Sequence, residues 1–193
     1  MKLAKRIFAA FLIVALVMSN VVLASANSGS AVSMATLANG QSGDGWTTNG
    51  TVLTLTGNAP ENPVVITGAV SNGRRIEVQS GATAHVTLDG VSVTGLAEHQ
   101  TPLLLQSGAS LTVTLVGVNT FTATSNSAGI QVMAGTTLTI GGAGTLNANG
   151  GMFGAGIGAT LGLDGGTIII NGGTINATGA NSAAGIGGGS SFG

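Results

Sequence analysis

The chain has 193 residues, a formal net charge of −1, 34 glycines and no cysteine, with 6% charged and 44% hydrophobic residues. The missing cysteines exclude disulfide staples and thiolate metal sites, and five basic residues in all exclude the basic surface that nucleic-acid binding needs. So aliphatic and weakly charged a chain is not a disordered one, and its glycines lack the three-residue period of collagen.

The opening "MKLAKR" places Lys2, Lys5 and Arg6 before the apolar run "IFAAFLIVALVMSNVVLA" and the small residues Ala24 and Ala26. That order predicts a secretory signal peptide over residues 1–26, cleaved before Asn27. The expected mature chain has 167 residues, enough for one domain with a substantial core. It keeps two basic residues, Arg74 and Arg75, against six acidic ones, a formal charge of −4. Residues 27–44 read as a polar lead-in. The alternating stretch 45–78, with Pro60 and Pro63 in a loop, reads as one or two atypical amino-terminal coils that cap the structure.

From 79 to 193 the chain repeats itself. The segments "HVTLDGVSVTG", "TVTLVGVNTFTA", "TLTIGGAGTLNA" and "TIIINGGTINA" carry turn glycines Gly90, Gly117, Gly142 and Gly172, spaced 27, 25 and 30 residues apart. A second marker, Leu104, Ile130, Ile157 and Ile186, recurs at 26, 27 and 29. Two markers moving together define a degenerate structural repeat. Within each unit the residues alternate at a period of two between glycine-marked turns, and no helical period survives beyond the amino-terminal segment.

A unit this short cannot bury its own apolar face, but stacked units can. The expected fold is all-β, a parallel β-helix of about 25–30 residues per coil, each strand pairing with its equivalents about 4.8 Å above and below. Alternation points Val86, Leu88, Val113, Leu115, Leu138, Ile140, Ile168 and Ile170 inward, and on the next strand Val93, Phe121, Leu146 and Ile175. Glycines take the corners, where a positive φ or a close approach of stacked backbones excludes a side chain. The chain stops at "GIGGGSSFG" just after another unit begins, so a truncated array with an exposed last rung is expected.

The stretches "TPLLLQSGASLTVTLVGVNTFTA", "AGIQVMAGTTLTIGGAGTLNANGG" and "GGTIIINGGTINATG" resemble repeats of large exported bacterial surface proteins of the clostridial type, described as carbohydrate-binding or adhesin-like. The resemblance covers roughly residues 46–193. It implies a right-handed parallel β-helix with an architecture like that of pectate lyases, a secreted or cell-surface location and contact with polysaccharide. It transfers no catalytic motif onto a numbered residue.

Polysaccharide hydrolysis needs two convergent carboxylates, and Asp44, Glu61, Glu77, Asp89, Glu98 and Asp164 never pair in sequence. Arg74 and Arg75 beside Glu77 read as a solvated corner cluster. His85 and His99 stand 14 residues apart; His85 heads an outward column expected to continue through Thr112, Thr137 and Thr167. Asp164 offers one oxygen to calcium, too few for a site. No catalytic residue, metal ligand or cofactor is assigned. Trp46, the sole tryptophan, reads as a seal on the end of the core rather than a sugar platform.

What remains is a surface made by the repeat. Outward positions flanking the second strand are Ser92 and Thr94; Thr120, Thr122 and Thr124; Thr145, Asn147 and Asn149; Thr174, Asn176 and Thr178. Stacked, they form a lattice of hydroxyls and amides suited to weak, repeated hydrogen bonds with glycan hydroxyls, although such ladders also stabilise strands by themselves. The reading is a non-enzymatic, exported β-helix segment of a bacterial cell surface, adhesive or polysaccharide-binding. The partner is an extracellular polysaccharide or a surface glycan of a host or plant; the membrane is met only through the signal peptide. The alternatives are a lyase or hydrolase scaffold with its site on missing modules, an ice-binding surface, and a purely structural spacer.

Overall fold

Residues that alternate in polarity form strands with one inward and one outward row, and the glycine-containing segments between them bend the chain. The computed structural model describes residues 30–71 and 73–190, over which the chain is a β-solenoid of about five turns. The expected signal peptide, residues 1–26, lies outside the described residues.

The chain begins with β1 (Ala31–Ser33), a 3-10 turn at Met34–Thr36, β2 (Asn39–Gly43), β3 (Trp46–Asn49) and β4 (Val52–Leu55). The next windings carry β5 (Val64–Val70), β6 (Arg75–Val78), β7 (Thr83–Val93), β8 (Leu103–Leu105), β9 (Ser110–Val116) and β10 (Val118–Thr122). They continue with β11 (Ile130–Gln131), β12 (Thr137–Gly142), β13 (Thr145–Asn149), β14 (Ile157–Gly158), β15 (Thr167–Ile170), β16 (Thr174–Thr178) and β17 (Ile186–Gly187).

These strands stack in parallel as three faces. The first holds the leading halves of β5 and β7, then β9, β12 and β15. The second holds the trailing ends of β5 and β7, then β10, β13 and β16. The third runs β4, β6, β8, β11, β14 and β17. At the amino-terminal end β2 and β3 extend the third face antiparallel to β4, while β1 pairs with β5. Trp46 on β3 is buried, its indole Nε1 donating to Ser30 Oγ at 2.7 Å.

The inward rows are the apolar ones the alternation marks, but their register differs from an alignment on turn glycines. Leu138 stacks on Leu111 rather than on Val113, and it is Ile140 that covers Val113. The cause is Gly142. It pairs with Leu115 on the inner row, at φ +96°, where an added Cβ would stand 2.5 Å from the Leu115 carbonyl oxygen and 2.6 Å from its amide nitrogen. Gly142 is thus a close-approach glycine of the strand, and the corner equivalent to Gly117 is two residues on, where Thr145 N–H donates to Gly117 O at 2.7 Å.

On the second face the expected single row of Val93, Phe121, Leu146 and Ile175 is two rows. Val93, Phe121, Ala148 and Ala177 form one, and Asn119, Leu146 and Ile175 the other. On the third face Leu103 and Leu105 point inward and Leu104 outward, so the aliphatic column is Leu53, Ile76, Leu103, Ile130, Ile157 and Ile186. The first five are at most 1% exposed, whereas Ile186, on the last rung, is 45% exposed. Ile170, expected inside, does lie on the Val113–Ile140 row, but with no further rung above it among the described residues it is 43% exposed.

Candidate binding face

The second face is built by β10, β13 and β16, whose inward residues anchor it to the core and leave the intervening positions facing out. Parallel pairing in register turns these positions into columns. One column is Ser92, Thr120, Asn147 and Asn176. A second is Thr122, Asn149 and Thr178. A third is Val118, Thr145 and Thr174, so that column starts with an apolar residue.

The columns are knitted by side-chain hydrogen bonds between rungs. Asn147 Nδ2 donates to Thr120 Oγ1 at 3.4 Å, Asn149 Nδ2 to Thr122 Oγ1 at 3.2 Å, and Asn176 Nδ2 to Asn147 Oδ1 at 2.9 Å. A carboxamide has two N–H donors and a hydroxyl can donate and accept, so each rung-to-rung bond commits part of a side chain and orients the rest. The face is therefore ordered and retains hydrogen-bonding capacity.

Two predicted members differ. Thr94 Oγ1 donates to Val70 O at 3.4 Å, and Thr124 Oγ1 donates to Ala97 O at 2.9 Å, so both hydroxyls serve the neighbouring backbone. Ser92 and Thr94 instead border a shallow depression of about 160 Å³ with Ala69, Val70 and Ser71. Beside the Val118 column runs an apolar corner groove of about 460 Å³, floored by Gly142, Ala143 and Gly144 and flanked by Val116 and Val118, which are 43% and 61% exposed. Sequence reasoning missed this groove, because exposed valines at a corner look like strand residues in a linear pattern.

It also missed Asn119, which lies fully buried among apolar neighbours. Its Oδ1 accepts from Val91 N–H at 2.9 Å, and its Nδ2 donates to Val116 O at 3.0 Å and Thr145 O at 3.4 Å. The signal was present: alternation from the inward Phe121 places Asn119 inward too. The side chain braces the corner between first and second faces across three rungs, beneath the apolar groove.

The charged residues are dispersed. Arg75 pairs with Glu77 at 2.5 Å along the outer row of strand β6 rather than at the expected corner, and Gln106 Nε2 donates to Glu77 Oε2 at 3.4 Å. Arg74 does not join them: its guanidinium donates to Gly50 O, Met34 O, Ala35 O and Leu37 O at 2.8–3.2 Å, pinning the amino-terminal segment. His85 stands level with Thr112, and the register carries that column on to Thr139 and Ile169, not to Thr137 and Thr167. Among the described residues no three His, Asp or Glu side chains converge on a common point where they could hold a metal ion.

Comparison with known proteins finds no matching family model, no similar curated protein and no similar solved structure.

Proposed function

We propose that this chain is a non-catalytic β-solenoid segment of an exported bacterial surface protein, and that its second face adheres to polysaccharide. The observation that carries the reading is the registered ladder of Thr120, Thr122, Asn147, Asn149, Asn176 and Thr178, neutral donors and acceptors repeated at the rung spacing of about 4.8 Å. A polysaccharide is likewise a neutral repeat of hydroxyls alternating with apolar C–H faces. The apolar groove along Val116 and Val118 supports the match, because it lies beside the polar columns and offers the C–H faces a surface. Single contacts of this kind are weak, and repetition along one rigid lattice multiplies them.

Affinity electrophoresis in gels containing soluble plant and host polysaccharides, with and without calcium, tests the reading. The native chain should be retarded by at least one neutral polysaccharide. Each lost hydrogen bond is worth about 0.5–1.5 kcal/mol, so Asn147→Ala with Asn149→Ala should weaken retention by at least about fivefold. Thr83→Ala, exposed on the first face and away from the groove, should leave it unchanged. The hydrogen bonds within the ladder favour one second reading, a structural spacer, and free migration in every gel would establish it.

A further inference from the structure

A second concave surface, sharing no residue with the ladder, is formed by loops around Gln131 of the third face. It is a groove of about 310 Å³ lined by His99, Asn126, Ser127, Gln131, Thr160 and Leu161. Three separate windings supply these residues. His99 comes from the loop between β7 and β8, Asn126 and Ser127 from the loop between β10 and β11, and Thr160 and Leu161 from the loop after β14. The walls are tied together, since Leu161 N–H donates to Asn126 O at 3.3 Å.

Of the four described non-glycine residues at positive φ, two lie at or beside the groove, and the other two, Asn181 and Ser182, are not among its lining. His99 has φ +62° and Ser125, next to Asn126, has φ +52°. A non-glycine residue in this region is strained, and such strain persists only where the surroundings enforce it. Gln100, the residue after His99, has a buried Oε1 with no hydrogen-bond partner, the one such side-chain atom among the described residues. An unpaired buried acceptor is costly, though Gln100 itself is not among the residues lining the groove. By contrast Gln131 is held in place, its Oε1 accepting from Thr101 Oγ1 at 2.9 Å, which leaves both N–H groups of its amide uncommitted.

The lining decides the ligand class. It contains no carboxylate, ammonium or guanidinium, and its one ionisable group is the His99 imidazole, so a cation finds no partner of opposite charge there and an anion at most one. It offers two carboxamides, two hydroxyls and an imidazole around one aliphatic wall, Leu161. Neutral donors and acceptors ringing an apolar patch complement a ring that bears hydroxyls at its edge and C–H groups on its face. The volume stands at the lower limit for ligand cavities, which suits one ring and not an extended chain. We propose that this groove binds a single neutral sugar ring. The inference rests on the groove's own chemistry and stands apart from the ladder on the second face.

Amide NMR titration of the isotopically labelled full chain tests it, with methyl glucoside, methyl galactoside and N-acetylglucosamine as probes and inorganic phosphate as the anionic control. At least one sugar should give saturable shifts, in the millimolar range, centred on His99, Asn126, Gln131 and Thr160. Asn126→Ala should weaken that binding by about tenfold or more, with Thr160→Val as the conservative second variant, both checked for native unfolding temperature. Asn147→Ala, on the ladder, should leave it unaltered. The proposal is overturned if no sugar gives saturable shifts, if the shifts fall only on β10, β13 and β16, or if phosphate binds in the groove and the sugars do not.

Discussion

Asn119 shows how one residue can couple the windings. Its amide reaches Val91 N–H in a buried bond and Val116 O and Thr145 O in part-buried ones, and its loss would strand the Val91 N–H away from water. Asn119→Ala should therefore destabilise the chain by about 2–3 kcal/mol, within the range for stranding buried polar groups, as measured by chemical denaturation. Asn119→Asp is the sharper variant. It keeps an acceptor for Val91 but turns the two donated bonds into contacts between a carboxylate and the carbonyls of Val116 and Thr145. It should lower stability more than alanine does near neutral pH. Gly142 is a second coupling point: Gly142→Ala places a methyl group against the Leu115 backbone at a positive φ, and should cost about 1–3 kcal/mol in the same assay.

Among the elements, the amino-terminal segment is fastened by strand pairing and by one side chain, Arg74. β1, the 3-10 turn and β2 are held by strand pairing at either end, and between them Arg74 gathers the carbonyls of Met34, Ala35 and Leu37 and that of Gly50. A planar fork with five donors can serve four carbonyls at once, and an ammonium cannot. Arg74→Lys should thus raise the rate of limited proteolysis between Met34 and Gly50 while the rungs from β7 onward stay resistant. Equal sensitivity in the variant and the native chain would show that strand pairing alone secures this end. The β6 pair Arg75–Glu77 is partly solvated, and its removal should change stability by less than about 1 kcal/mol.

Over the whole molecule, stability is shared between neighbouring rungs, as in any stacked array. The column Leu53, Ile76, Leu103, Ile130 and Ile157 is sealed above and below, while among the described residues Ile170 and Ile186 have strand neighbours on one side only. Amide hydrogen exchange should accordingly be slowest in β9 and β12 and fastest, among the strands, in β15, β16 and β17. Uniform protection through β17 would mean that the last described rung is covered in solution.

The residues by themselves determined the β class, the coil length and which side chains face the core, because polarity at a period of two is a local property and each unit is too small to hide its own apolar row. They equally marked Thr120, Thr122, Asn147, Asn149, Asn176 and Thr178 as outward. Only the tertiary structure decided the register. The run "GGAG" at 141–144 offers several glycines to one corner, and the choice among them is made by which backbone approaches Leu115 and which side chains fill the layer above Leu111 and Val113. The buried bracket of Asn119, the clamp of Arg74 and the groove shared by His99, Asn126 and Thr160 arise the same way: each joins residues 20 or more positions apart, and no local pattern encodes which winding comes to rest on which.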